Sequence, residues 1–188
     1  MDLYSKLVLK VMKNSNMTVG ELYKKIKLAQ KWHNPLNYDN GNTIAEENGW
    51  EYLFTEALEK EGLGRRYYFR FHDYDLTDVN TTYRAFKNCK NFKKYSKVWS
   101  KHAPAGLQRP EIYLLALVEM TVRGFKHEER VMAALRANGH EITPSSPEED
   151  LKGIDFWKDG KPVQLKSPNT FKNMKLDNLE IETIGAAI

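Results

Sequence analysis

The dipeptide Asp159-Gly160, set between two runs of alternating residues, constrains this chain more than any other feature. Asp-Gly favours a two-residue type I′ turn, because both central residues of that turn need positive φ, and the turn fixes the register of the strands it joins. Counting outward pairs Lys158 with Lys161, Trp157 with Pro162, Phe156 with Val163, Asp155 with Gln164 and Ile154 with Leu165. Side chains alternate between the two faces of a strand, so Ile154, Phe156, Val163 and Leu165 are expected on an apolar face while Asp155, Gln164 and Lys166 share the other. Directly opposed residues stand about 4.5–5.5 Å apart at Cβ and diagonal ones roughly 7–8 Å. An acid, an amide and an amine are thereby expected in one patch.

Phosphodiester hydrolysis needs such a grouping. A hard divalent cation takes oxygen ligands, here Asp155, the side-chain oxygen of Gln164 and water. The cation stabilises charge on a phosphate and lowers the pKa of its water, while an ammonium such as that of Lys166 orients the nucleophile and offsets negative charge. Because Gln164 is neutral a second acid is wanted, and Glu128 on the preceding helix is the candidate. The alternative is a surface hairpin whose polar face is merely solvated.

Three segments together carry a resemblance: Gly124-x-x-x-Glu128-x-x-Val131-x-x-x-Leu135-x-x-x-Gly139, then Gly153-Ile154-Asp155, then Gln164-Leu165-Lys166. In these residues the chain resembles the PD-(D/E)xK nuclease superfamily, over roughly residues 110 to 170. The resemblance implies a helix bearing a glutamate followed by a mixed sheet bearing an aspartate and a (D/E)xK tripeptide. It would make Asp155 the metal-binding aspartate, Gln164 the occupant of the second acid's place, Lys166 the catalytic lysine and Glu128 the helix glutamate. Glutamine at that place is a variation found in the superfamily, among homing and restriction-like enzymes. The implied cofactor is Mg²⁺, with Mn²⁺ as a substitute. Two features depart from the pattern: no proline precedes Asp155, and little chain follows Lys166 to supply a helix at Thr170–Leu179 and a strand at Glu180–Ile184.

The rest of the chain reads as mostly helical. Ser5–Asn14 and Thr18–Leu28 are amphipathic, with Thr18 placed to cap the second, which makes them either a helical hairpin or the first half of a helix-turn-helix. A helix is expected over Thr43–Glu61, a strand over Tyr67–His72, helices over Pro110–Arg123 and Phe125–Ala137 separated at Gly124, and a strand over His140–Thr143. Asp73, Asp75 and Asp78 read as a capping loop, Glu148 to Asp150 as a solvated one, and His127 as a surface residue.

From Arg84 to Lys101 there are seven basic residues and no acid. On one continuous helix Lys87, Lys90, Lys94, Lys97 and Lys101 would form a stripe with Phe92, Tyr95 and Trp99 interleaved, a surface suited to phosphate contacts. The net charge of +4 and pI near 9.0 agree with a polyanionic partner without demanding one. The single cysteine, Cys89, excludes an internal disulfide, and no Cys/His spacing fits structural zinc. No apolar run approaches bilayer length, so a cytoplasmic protein without membrane attachment is expected.

These readings combine into an α+β chain: a mainly helical, basic lobe over 1–104 and a restriction-endonuclease-like core over 105–188, its small mixed sheet flanked by helices. The expected function is Mg²⁺-dependent, site-specific cleavage of double-stranded DNA by a homodimer or higher homo-oligomer, since two strands require two sites. The alternatives are a DNA-binding protein with a decayed nuclease core, a structure-selective junction or repair nuclease, and an RNA-processing nuclease.

Overall fold

A computed structural model describes residues 1–33, 45–51, 53–63, 71, 74–150, 152–166 and 182–185. The chain is α+β and separates into two compact units, Met1–Val122 and Arg123–Ile188.

The first unit is helical. Helix α1, Leu3–Ser15, starts on Asp2, whose carboxylate accepts from Ser5 N–H at 2.7 Å, and stops where Asn16 turns left-handed at φ 49°. Helix α2, Val19–His33, opens with the capping box that Thr18 predicts. Glu21 N–H donates to Thr18 Oγ1 at 3.2 Å, and Thr18 N–H donates back to Glu21 Oε2 at 2.7 Å. The helix expected over Thr43–Glu61 is two pieces in its described part: a turn at 45–47, then helix α3, Phe54–Lys60. Gly49 separates them, taking φ +67° while Trp50 N–H donates to Ala45 O at 2.7 Å. Apart from the buried Phe71, the strand expected at Tyr67–His72 lies outside the described residues.

Helices α4, Val79–Asn88, and α5, Lys90–His102, follow. Helix α6 then runs unbroken over Pro110–Ala137. The expected interruption at Gly124 does not occur. Glycine costs a helix only about 1 kcal/mol relative to alanine, which the flanking turns outweigh.

An aromatic cluster fills the first unit. Trp99 stacks on Tyr113 with centroids 4.3 Å apart, and Trp32 meets Trp99 edge-on at 4.8 Å and tilts against Phe54 at 5.2 Å. Leu7, Val11, Leu22, Ile26, Ile112, Leu115 and Val118 are buried in the same core. That core moves the unit boundary. The loop at His102–Gly106, read from sequence as the divide, is tied into it: Trp99 Nε1 donates to Leu107 O at 2.6 Å, Lys25 Nζ donates to Gly106 O at 3.0 Å, and Ala103 and Leu107 are buried. The first unit therefore extends through the apolar start of α6 to Val122.

In the second unit the C-terminal part of α6 precedes a four-stranded sheet. Its strands are β1 (Ile142–Pro144), β2 (Phe156–Lys158), β3 (Lys161–Lys166) and β4 (Glu182–Gly185), in that spatial order. The first three pair antiparallel and β4 pairs parallel to β3. Strand β4 overlaps the strand expected at Glu180–Ile184 and ends one residue later, at Gly185, while the helix expected over Thr170–Leu179 lies outside the described residues. Phe156 and Val163 are fully buried with Ile142, and Val131, Met132 and Leu135 of α6 pack on them beside Leu165. A short helix α7, Pro147–Asp150, lies between β1 and β2. Among the described residues no helix is long and apolar enough to cross a membrane.

The β2–β3 turn has the expected conformation, with Asp159 at φ 51° and Gly160 at φ 76°, and the pairing Phe156 with Val163, Trp157 with Pro162 and Lys158 with Lys161. Asp159 also clasps the neighbouring strand, a role the turn pattern alone does not reveal. Its Oδ1 accepts from Glu141 N–H at 2.9 Å and its Oδ2 meets His140 Nδ1 at 2.8 Å. Asp159→Ala loses both contacts and places alanine at positive φ, and is expected to lower stability. Asp159→Asn keeps the left-handed preference and is expected to lose less. Urea unfolding of the two variants checks the order, and equal losses would show that the clasp contributes nothing beyond turn conformation.

Candidate functional site

Asp155 does not sit where an ideal ladder would put it. Its N–H donates to Val163 O at 2.8 Å, so Asp155 and Phe156 both address Val163 and the strand makes a bulge-like step. Asp155 is consequently not the direct partner of Gln164, which corrects the register one residue beyond Phe156. Its Oδ2 instead accepts from Leu165 N–H, a donor that the ideal register would have paired with Ile154 O. Ser145 Oγ donates to Asp155 O at 2.9 Å and anchors the same residue from behind. Bulges re-aim a side chain, and this one aims a carboxylate along β3.

Two pairs among the four expected residues interact electrostatically, Asp155 with Glu128 and Asp155 with Lys166. Burial pushes the Asp155 carboxyl above its ordinary range, partly opposed by the Leu165 N–H bond and by the Lys166 ammonium. Glu128, on α6, is pushed up to about 7, chiefly by burial and then by the negative charges of Asp155, Asp150 and Glu129. Glu128 and Asp155 are thus both partly desolvated, with the charge of Asp155 acting on Glu128 and Lys166 acting on the aspartate. Asp150, read from sequence as part of a solvated loop, is exposed but adds to the field on both acids. Gln164 is half-buried on β3 with its amide against Gly153.

The donors fit a hard divalent cation in kind, being carboxylate and amide oxygens, and two acids held above their ordinary pKa gain most from a neutralising charge. Among the described residues no three His, Cys, Asp or Glu side chains gather as a metal-binding group. Any such ion would thus rest on Glu128, Asp155 and the neutral Gln164, with water completing its shell.

The lysine stripe is exposed but differs from a single helical face. Lys87 belongs to α4, whereas Lys90, Lys94, Lys97 and Lys101 belong to α5, because Cys89 at ψ 125° ends one helix and starts the other. Phe92 and Trp99 are buried in the core and Tyr95 is half-buried, so the aromatics do not interleave with the lysines on the surface. Lys101 is engaged by Glu61 at 2.5 Å, and Lys87 lies 5.5 Å from the Tyr83 ring centroid.

The other candidates resolve as structural. Asp75 accepts from Thr77 N–H and Asp78 caps α4 at Thr81 N–H, while Asp73 lies outside the described residues. His127 departs from expectation: it is only 8% exposed, and its Nε2 has no hydrogen-bond partner among the described residues.

The acid pair predicts a pH dependence for the metal-free protein. A carboxyl whose folded pKa lies above its unfolded value adds stability below the unfolded value, near 4.5 for Glu128, and loses it as pH rises through the folded value of about 7. Glu128→Gln removes that loss. In urea unfolding with chelator present, the variant should gain on the wild type between pH 5 and pH 8, and an unchanged difference would contradict the burial of this charge.

No family model, curated protein or solved structure matches the chain, so the reading of this site rests on its own residues.

Proposed function

We propose that the chain is a cytoplasmic, Mg²⁺-dependent endonuclease of PD-(D/E)xK type that hydrolyses double-stranded DNA, probing a defined site as homing or restriction-like enzymes do. The observation that carries this reading is the pair of partly desolvated carboxylates, Glu128 and Asp155, with a lysine acting on one of them. Nothing in the packing of a small sheet requires two acids to be held together in this way, and an isolated pair of that kind costs stability. Functional sites are where such arrangements are tolerated.

Asp155, Glu128 and the oxygen of Gln164 would hold the cation. When bound, it supplies charge neutralisation and a water of lowered pKa. The residues of the chain do the rest. Asp155 is held rigid at one oxygen by Leu165 N–H, which leaves the other oxygen to act as ligand. Lys166, whose ammonium acts on Asp155, would offset the phosphate's charge and orient the attacking water. The exposed lysines of α4 and α5 would hold the DNA backbone through phosphate contacts, which position a duplex without reading its sequence. Cleavage of both strands would use two copies of the site, hence a homodimer or higher homo-oligomer. Mn²⁺ would replace Mg²⁺.

The neutral Gln164, with no three-acid group among the described residues, favours one second reading: a DNA-binding protein whose nuclease core has decayed. Cleavage separates the two. Purified protein with Mg²⁺ should nick or linearise plasmid DNA. Asp155→Ala and Lys166→Ala should each lower the rate by at least about a hundredfold, the scale of a lost electrostatic or acid–base contribution, with circular dichroism unchanged. Glu128→Ala should fall in the same direction. Wild-type rates in the Asp155 and Lys166 variants would overturn the assignment, and parallel arms with branched DNA and RNA reveal a different substrate preference.

Replacing Lys90, Lys94 and Lys97 together by glutamine should weaken specific and non-specific DNA binding alike and flatten the dependence of log affinity on log salt by about 0.9 per lost phosphate contact. An unchanged slope would reduce this surface to a solvated face.

A further inference from the structure

Gly153 closes the loop between α7 and β2. Its N–H donates to Asp150 O at 2.9 Å, and Ile154 N–H donates to Glu149 O at 3.1 Å. Its φ of +84° is one reason for glycine. A second reason distinguishes it from Gly49, Gly62, Gly139 and Gly160, which also have positive φ but have nothing within 4 Å of the space a Cβ would take. At Gly153 that space is occupied: a Cβ would stand 2.7 Å from Gln164 Nε2 and 3.7 Å from Gln164 Cδ. Gln164 Oε1 does not come within 4 Å of it.

We infer that Gly153 is a positioning residue for Gln164: its bare backbone seats the amide nitrogen against the loop leading into Asp155, so that the amide oxygen is the end turned away and presented to a ligand. This rests on the proposed reading of Gln164 as part of the metal site. The consequence follows from which partner yields. The atom in conflict is the end of a flexible side chain, not backbone, so a Cβ at position 153 displaces the carboxamide before it disrupts the fold. Displacing the amide nitrogen from its seat also frees the oxygen's orientation, which is the property a metal ligand needs held.

A double-mutant cycle tests the seat itself, without metal or DNA. Gly153→Ala and Gly153→Asn are made in the wild type and in Gln164→Ala, and Tm is measured with chelator present. Asparagine tolerates positive φ better than alanine but brings the same Cβ, so it separates strain from contact. The expected result is non-additivity: each substitution lowers Tm clearly more in the wild type than in Gln164→Ala, since the second background has already emptied the space. Equal losses in the two backgrounds would overturn the inference. The functional arm is the rise in Tm on adding Mg²⁺. Gly153→Asn should lose most of that rise, to the level of Gln164→Ala, and Gln164→Asn, one methylene shorter, should restore part of it in the Gly153→Ala background. A full wild-type rise in Gly153→Asn beside a lost rise in Gln164→Ala would also overturn the inference. Non-additivity together with no Mg²⁺ response in the wild type would leave the seat supported and overturn the metal reading instead.

Discussion

Two consecutive left-handed residues, Asp159 and Gly160, decide where the side chains of the second unit's hairpin lie. A register slip of one residue would turn Phe156 and Val163 to solvent and the polar residues into the packing against α6. The turn is reinforced from outside, because the Asp159 carboxylate holds both the backbone and the imidazole at the start of β1. One aspartate therefore joins three strands, and the helix face of Val131, Met132 and Leu135 closes over the apolar side they create. Glu128 lies one helical turn before Val131 and Met132, and so on the rim of that contact.

The candidate site depends on a departure from this regular ladder. If pairing continued ideally, Asp155 would face Gln164 and its carboxylate would be one group among several on a solvated face. The step at Asp155 substitutes a carboxylate for a backbone carbonyl at Leu165 N–H. That exchange fixes one oxygen, partly buries the acid and leaves it within the field of Glu128 and Lys166. The unfavourable part of the arrangement is the repulsion between the two acids, which a cation would relieve.

What was legible in the sequence was local. The Asp-Gly turn, the pairing out to Phe156 and Val163, the Thr18 cap and the apolar face packed by α6 follow from rules that act over a few residues. The α+β class follows from the same patterns. The failures have different causes. Gly124 does not break α6 because the turns on either side outweigh its propensity. The loop at His102–Gly106 is not a boundary because Lys25 bonds to Gly106 O, Trp99 bonds to Leu107 O just beyond it, and Ala103 is buried. Cys89 splits the lysine stripe, and no breaker residue in the sequence marks that point. The bulge-like step at Asp155 depends on bonds to Val163, Leu165 and Ser145 that break the regular alternation, so periodicity could not reveal it, and no pattern in the sequence marks the burial of His127. Of the site, the approach of Glu128 to Asp155 and of Lys166 to Asp155 was anticipated, while Asp150's influence and the seat for Gln164 at Gly153 were not.

The central claim is that Glu128 and Asp155 together hold a divalent cation, and calorimetric titration with Mg²⁺ near pH 7 tests it most directly. With Glu128 titrating at about 7, binding should displace a proton, so the measured heat should vary with the ionisation enthalpy of the buffer. The account predicts saturable binding with that buffer dependence in the wild type, weakened binding in Asp155→Asn, and loss of the buffer dependence in Glu128→Gln. Absence of binding in the wild type, or the same buffer-dependent heat in Glu128→Gln, would contradict it.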